Sequence, residues 1–190
     1  MSKIILDLCG GTGAWSKPYK EAGYDVRLIT LPEQDIREYE PPENVYGILF
    51  APPCTHFSVS GAQYWKAKDT DGRTLEDITI VSHGLMIIAK CKPTFWVIEN
   101  PVGRLRNLLG SPQMYFNPCD YGDAYTKKTC LWGKFNEPKK SPVEPEFVYA
   151  SNGDRYSKIH MSTGGTSAKT KELRSITPPG FAKAFFEANK

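Results

Sequence analysis

The feature that most constrains this chain is a pattern used three times: a short apolar run ending in a turn that carries a flexible or reactive residue. Residues 3–8 run into Gly10, Gly11 and Gly13. Residues 46–50 are cut off by Pro52 and Pro53 and lead to Cys54. Residues 95–98 end at Glu99. Short apolar runs bounded by turn signals read as strands buried on both faces, the form taken in parallel sheets. Further strands are predicted over 24–30 and 129–132. Helices are predicted over 15–22, with Pro18 in the first turn and Gly23 as the stop, and over 179–188, with Pro179 at the start. The best helical pattern covers 75–90, where Leu75, Ile78, Val81, Leu85 and Ile88 recur near helical spacing.

Strand and helix in alternation predict an α/β sheet with right-handed crossovers. Ligands of such sheets bind outside the carboxyl ends of the strands. The glycine loop, Cys54 and Glu99 are therefore expected on one edge of the sheet.

At 190 residues the chain is expected to form a single domain, 1–190, large enough for a real core. Hydrophobic residues at 40% and charged residues at 24% fit an ordinary globular protein. No apolar run approaches the roughly 20 residues of a membrane span, so no membrane partner and a cytoplasmic location are expected. The cysteines are Cys9, Cys54, Cys91, Cys119 and Cys130. An odd count argues against a disulfide scaffold, and the lack of a CxxC or Cys/His cluster argues against zinc; no metal is expected. The net charge is +3, but Lys127, Lys128, Lys134, Lys139, Lys140, Arg155, Lys158, Lys169, Lys171 and Arg174 crowd the last third. These read either as a solvated surface or as a phosphate-facing side. Residues 134–173 are rich in Pro, Ser, Gly and Lys, and read as a short basic, loop-rich insertion with room for a hairpin.

Each chemical element has a bland reading beside the sharp one. Gly10, Gly11 and Gly13 permit a sharp turn and close approach to a ligand, or simply good packing. The Lys-Ser/Thr of a phosphate-gripping loop is missing, which argues against an NTPase. A free cysteine is usually a small buried hydrophobe. The stiff Pro-Pro turn and polar neighbours of Cys54 instead predict a presented thiol. His56 lies two residues away in an extended loop and is expected to point elsewhere. Glu99 reads as a pocket carboxylate with a raised pKa, or as one satisfied by backbone amides.

Taken in order, these segments resemble the cytosine-5 DNA methyltransferases that use S-adenosylmethionine. Asp7 to Gly13 resembles the first cofactor motif, and Asp35-Ile36-Arg37 the segment that contacts the adenine ring. Pro52-Pro53-Cys54-Thr55-His56-Phe57-Ser58 resembles the nucleophile motif, and Glu99-Asn100-Pro101 the Glu-Asn-Val motif. Tyr121-Gly122 with Lys127-Lys128-Thr129 resembles the later basic motif. Thr177 to Ala184 resembles the segment that completes the cofactor pocket.

The resemblance implies a Rossmann-like methyltransferase sheet with helices on both faces. It implies Cys54 as nucleophile on cytosine carbon 6, Glu99 as the group at the ring nitrogen, and Lys127 or Lys128 as added charge. It implies a pocket for S-adenosylmethionine, with S-adenosylhomocysteine as product, made by Asp7, Cys9, Gly10, Gly11, Gly13, Asp35, Ile36, Pro52, Phe57 and Thr177, with Trp15 placed there by position. Ser58, Lys139, Lys140, Arg155 and Lys158 are the expected DNA contacts.

Three departures matter. The family's Gln-x-Arg-x-Arg is here Tyr125-Thr126-Lys127-Lys128-Thr129, and Lys lacks the planar fork of Arg. Glu-Asn-Val has become Glu-Asn-Pro. The usual target-recognition domain is reduced to residues 134–173, too few for a second core. Short or relaxed specificity, or an accessory specificity partner, is expected, in a compact form suited to a phage or a restriction-modification setting. The alternatives are the same chemistry on RNA, single strands or a free nucleotide, and a degenerate regulator that binds cofactor or nucleic acid without turnover.

Overall fold

The computed structural model describes residues 2–151, 153–157 and 173–190. Its first half alternates strand and helix: β1 (Ile4–Leu8), α1 (Lys17–Glu21), β2 (Asp25–Ile29), β3 (Val45–Phe50), α2 (Trp65–Thr70), α3 (Arg73–Cys91) and β4 (Phe95–Pro101). Then follow α4 (Arg106–Leu109), β5 (Met114–Phe116), β6 (Thr129–Lys134), a small hairpin of β7 (Phe147–Tyr149) and β8 (Arg155–Ser157), and the closing helix α5 (Pro179–Ala188).

Six strands form one sheet in the order β2-β1-β3-β4-β6-β5. β1 pairs in parallel with both β2 and β3, and β3 with β4. The strand order therefore reverses at β1/β3, the place where open α/β sheets leave a crevice at the carboxyl ends. β6 breaks the parallel rule: it runs antiparallel between β4 and β5. The strand expected over 129–132 is present, and its direction is the one the sequence did not state. Between β5 and β6 the chain forms only a short 3-10 turn, Pro118–Tyr121, and no α-helix that would carry a parallel crossover. The same pairing lengthens β4, whose register with β6 continues through Glu99↔Leu131 to Pro101↔Thr129. Glu99 thus lies within a strand, whereas the sequence reading ended the strand before it.

Two cores lie on opposite faces of the sheet. On one, Leu6, Leu8, Ile48, Phe50 and Ile98 meet Val81, Ile87 and Ile88 of α3. The buried stripe of that helix is Asp77, Val81, Gly84 and Ile88, and Leu75, expected on it, is exposed. Gly84 sets the approach, since a Cβ there would fall 2.1 Å from the Phe50 ring. On the other face, Ile5, Leu49, Val97 and Leu131 meet an aromatic layer of Trp15, Tyr19, Phe116, Tyr121, Phe181 and Phe185. Phe181 stacks on Phe116 at 3.8 Å between centroids and 10° between planes. Each such side chain, fully buried, contributes roughly 1.5–3 kcal/mol.

Within 134–173 the described residues contain the hairpin allowed for in the sequence, with Phe147↔Ser157 and Tyr149↔Arg155 in register. No described helix is long and apolar enough to cross a membrane.

A candidate active site at the carboxyl edge of the sheet

β1 delivers Asp7 to the edge fully buried. Ser16 donates its hydroxyl to Asp7 Oδ2 at 2.5 Å, while Oδ1 has no hydrogen-bond partner among the described residues. Burial pushes the carboxyl up to about 6, against the pull of the Ser16 hydrogen bonds. The loop folds directly over this carboxyl: a Cβ on Gly10 would lie 2.3 Å from it, so only glycine fits. The Cys9 amide donates to the Ile29 carbonyl at 2.7 Å, and that of Gly13 to the Gly10 carbonyl at 2.9 Å. Gly11 takes φ +55° and faces open space. Burial, then Asp7, Asp35 and Asp77, push the Cys9 thiol up to about 12, which disfavours its thiolate. Trp15 is 2% exposed, its indole Nε1 has no hydrogen-bond partner among the described residues, and its ring packs on Phe181 and Phe185.

β3 delivers the second turn. Asn100, at the end of β4, donates its amide to the Pro52 carbonyl at 3.0 Å. Beyond Pro53 the Cys54 carbonyl accepts the amides of Phe57 and Ser58 at 3.1 and 2.8 Å, closing a tight turn. The Cys54 residue is exposed, though its thiol is desolvated enough that burial is the largest cause raising its pKa. Phe57 is 1% exposed and belongs to the α3 core. Ser58 caps the short turn Val59–Tyr64. His56 faces away toward α3, with Nδ1 2.7 Å from Asp77 Oδ2.

Electrostatics tie the edge together. Burial pushes the Glu99 carboxyl up, and Lys127 opposes it. After burial, Glu99 also raises the Cys54 thiol, Lys127 again lowers it, and Asp77 adds a small rise. Cys54, Glu99 and Lys127 therefore lie within electrostatic reach of one another. The two lysines of the basic motif part company here. Lys127 donates to the Arg174 carbonyl at 2.7 Å, just before α5. Lys128 sits 5.1 Å from the centre of the Tyr115 ring.

Asp35 grips Arg37 through paired hydrogen bonds, which hold its carboxyl down at about 2. Ile36 is 4% exposed and packs in the cluster that contains Leu8 and Ile29. Thr177, half-buried, precedes α5, whose Gly180 amide donates to Asp123 at 2.9 Å. The basic residues do not form one patch. Lys134 pairs with Trp96 at the amino end of β4, far from Cys54. Lys139 and Lys140 line a cleft of about 620 Å³ against α5, beside Glu137 and Glu187. Arg155 lies on the hairpin, over the Phe147 ring at 4.2 Å. Lys158, Lys169 and Lys171 lie outside the described residues.

Ser16, Asp77, Lys68 and Arg104 also reach these loops and were not anticipated. One signal for Asp77 was present in the sequence: it continues the buried 81-84-88 stripe of α3 as a lone carboxylate. Ser16, Lys68 and Arg104 had none.

Two solved structures are similar to this chain. One is a candidate DNA modification methyltransferase encoded within an E. coli prophage, at 17% identity over 88% of this chain and 56% of that one, with a TM-score of 0.47. The other is the DhpI–SAM–HEP complex, at 13% identity over 76% of this chain and 65% of that one, with a TM-score of 0.30. The chain thus spans less than two thirds of the length of either. No family model matches the sequence, and no curated protein does.

Proposed function

We propose that this chain transfers a methyl group from S-adenosylmethionine to carbon 5 of cytosine in DNA, through a covalent adduct on Cys54. The observation that supports the reading is that the chain brings the glycine loop, Cys54 and Glu99 to the carboxyl edge where strand order reverses, with Lys127 within electrostatic reach of both Cys54 and Glu99.

The loop fits the cofactor. Asp7 Oδ1 and Trp15 Nε1 lack hydrogen-bond partners among the described residues, Gly10 leaves no room for a side chain, and Gly11 opens outward. Asp7, Cys9, Gly10, Gly11, Gly13, Asp35, Pro52 and Thr177 would hold it, while Trp15, Ile36 and Phe57, almost wholly covered, would shape its floor. Bound there, S-adenosylmethionine supplies an electrophilic methyl group and is released as S-adenosylhomocysteine.

The protein's part follows from its charges. Cys54 loses its proton to water, and its thiolate bonds to carbon 6 of the ring, with Lys127 offsetting the negative charge. Glu99, whose carboxyl pKa burial raises, donates a proton to ring nitrogen 3, so electron density gathers at carbon 5 and takes the methyl. A base, water included, then removes the carbon 5 hydrogen. The carbon–sulfur bond breaks, and the proton on the ring nitrogen returns to Glu99. In duplex DNA the cytosine must first leave the stack.

The hairpin is the DNA-facing element of this reading. The Thr126 amide donates to Ser157 Oγ at 3.0 Å, which pins β8 beside Lys127. Arg155, Tyr149 and Tyr156 are exposed on it. The major groove admits a two-stranded ribbon. So small a reader gives short or relaxed specificity, or leaves specificity to an accessory partner. Transfer of labelled methyl to mixed-sequence duplex DNA, read base by base, tests the proposal. Methyl on cytosine carbon 5 is expected. Cofactor binding without transfer would overturn it, and single strands, RNA and dCMP as competitors would locate another substrate.

A further inference from the structure

The peptide that follows Cys54 is irregular, yet its carbonyls are taken one after another by groups from distant elements. Lys68 of α2 is buried and donates its ammonium to the Thr55 carbonyl at 2.7 Å. Arg104, just after β4, donates Nε to the His56 carbonyl at 2.8 Å, and its backbone amide donates to the Phe57 carbonyl at 2.9 Å. The His56 ring is held from α3 by Asp77 at 2.7 Å.

Arg104 is itself fixed on every side. Its guanidinium donates to Asp69 at 2.9 Å and to Thr74 at 2.7 Å, and lies 4.9 Å from the Trp65 ring centre. Cations that donate to carbonyls in a partly buried site make directional bonds stronger than neutral ones. Two of them and a backbone amide on three consecutive peptides, with a carboxylate on the intervening ring, restrict the arrangements open to the loop. A turn that needed only to connect β3 to α2 would not require this.

We infer that Lys68, Asp77 and Arg104 are positioning residues for Cys54: together they clamp residues 55–57 so that the thiol is already placed against Glu99 and Lys127 before substrate arrives. The inference rests on Cys54 as the nucleophile of the proposed reaction. It names a rigid cradle built from α2, α3 and the turn after β4, where prepositioning of reacting atoms is worth large factors in rate.

The experiment compares Lys68→Met, Asp77→Asn, Arg104→Ala and Arg104→Lys with the parent chain. Two readouts are taken: steady-state methyl transfer, and the pH dependence of Cys54 alkylation by iodoacetamide in the free protein, followed by peptide mass spectrometry. For Lys68→Met and Arg104→Ala the expected result is a fall in kcat of about a hundredfold with KM for DNA and cofactor little changed, the cost of a displacement near 1 Å. Alkylation should move the other way. In the parent, burial, Glu99 and Asp77 hold the thiol pKa up while Lys127 pulls it down, so a loosened loop brings the midpoint back toward an ordinary thiol and speeds the reaction at neutral pH.

Arg104→Lys restores charge without the fork and should recover only part of the rate. Unchanged kcat and an unchanged alkylation profile in all four would overturn the clamp. Should the parent transfer no methyl at all, the alkylation profiles still decide the clamp, and the reaction itself falls separately.

Discussion

Two regions of this molecule are held by opposite kinds of contact. Around α5 the contacts are aromatic and apolar: Phe181 and Phe185 are fully buried against Trp15, Phe95, Phe116 and Tyr121. Around Cys54 they are polar and directional: charged Lys68 and Arg104 and neutral Asn100 each donate to a named carbonyl. Apolar burial scales with area and tolerates small shifts, so it sets how stable the fold is. A charged hydrogen bond fixes an atom to within tenths of an ångström, so it sets where the chemistry happens. The aromatic face covers one side of the open sheet, and on the proposed reading the polar edge keeps the thiol in place.

The sharpest way to break this division is to remove one residue from each side. Cys54→Ala should abolish methyl transfer and leave both melting temperature and cofactor binding essentially unchanged, because the side chain is small and sits in an exposed residue. Phe181→Ala should do the reverse, lowering stability by about 3–5 kcal/mol in denaturant titration, with activity per folded molecule largely kept. Transfer retained by Cys54→Ala would remove the nucleophile from the scheme, and a destabilised Cys54→Ala would erase the boundary between the two regions.

Next in size is the difference between neighbouring lysines. Lys127 is felt by both Cys54 and Glu99, whereas Lys128 lies over Tyr115. Lys127→Ala should cost about a hundredfold in kcat, the scale of losing one group that stabilises transition-state charge. Lys128→Ala should act mainly on DNA affinity. Equal losses in kcat from single-turnover assays of the two variants would mean that the pocket does not separate them.

What the sequence disclosed follows the same division. The strands at 3–8, 46–50 and 95–98 and the closing helix were legible because burial leaves apolar runs and periodicity in the chain. The edge that collects the glycine loop, Cys54 and Glu99 was legible because chain order and crossover hand place it. Antiparallel β6 was not, since an apolar run does not state its direction. Lys68 and Arg104 were not either: they act across 13 and 48 residues of sequence, and a buried lysine reads like any surface lysine until its carbonyl partner is known. Lys139 and Lys140 looked like part of a basic stretch until the cleft against α5 brought acids beside them.

Asp7 sits on the border of the two regions, a polar group in the aromatic half, and gives a moderate effect with a definite sign. Its carboxyl is raised in the folded chain from 3.8 to about 6. The stabilising contribution of its protonated form is fully present below about 3.8 and is lost as pH rises through about 6, because the unfolded chain gives up its proton first. Stability of the parent should therefore fall between those values by about 2–3 kcal/mol, at 1.36 kcal/mol per pH unit. Asp7→Asn should lack that slope and be the more stable protein at pH 7, while binding S-adenosylmethionine more weakly. A parent whose denaturation midpoint stays flat across that window would show that Asp7 is solvated or paired in solution, and would weaken its place in the cofactor pocket.

The smallest expected effect concerns surface charge. Each phosphate contact contributes about 0.9 to the slope of log affinity against log salt on duplex DNA. If Lys139 and Lys140 each neutralised a phosphate, replacing both with alanine would flatten the slope by nearly 2 on that scale. Their surroundings argue for less. Lys140 lies 3.7 Å from Asp120, and Glu137 and Glu187 line the same cleft. DNA would have to displace these local partners before gaining the lysines. Arg155 stands instead on the hairpin beside the Lys127 loop, where a strand reaching Cys54 would pass. Arg155→Ala should therefore lower the slope by close to 1, and the Lys139→Ala/Lys140→Ala pair by no more than that. The opposite ranking, measured by titration across a salt series, would move the DNA path from the hairpin to the α5 flank and make the aromatic region part of the binding surface.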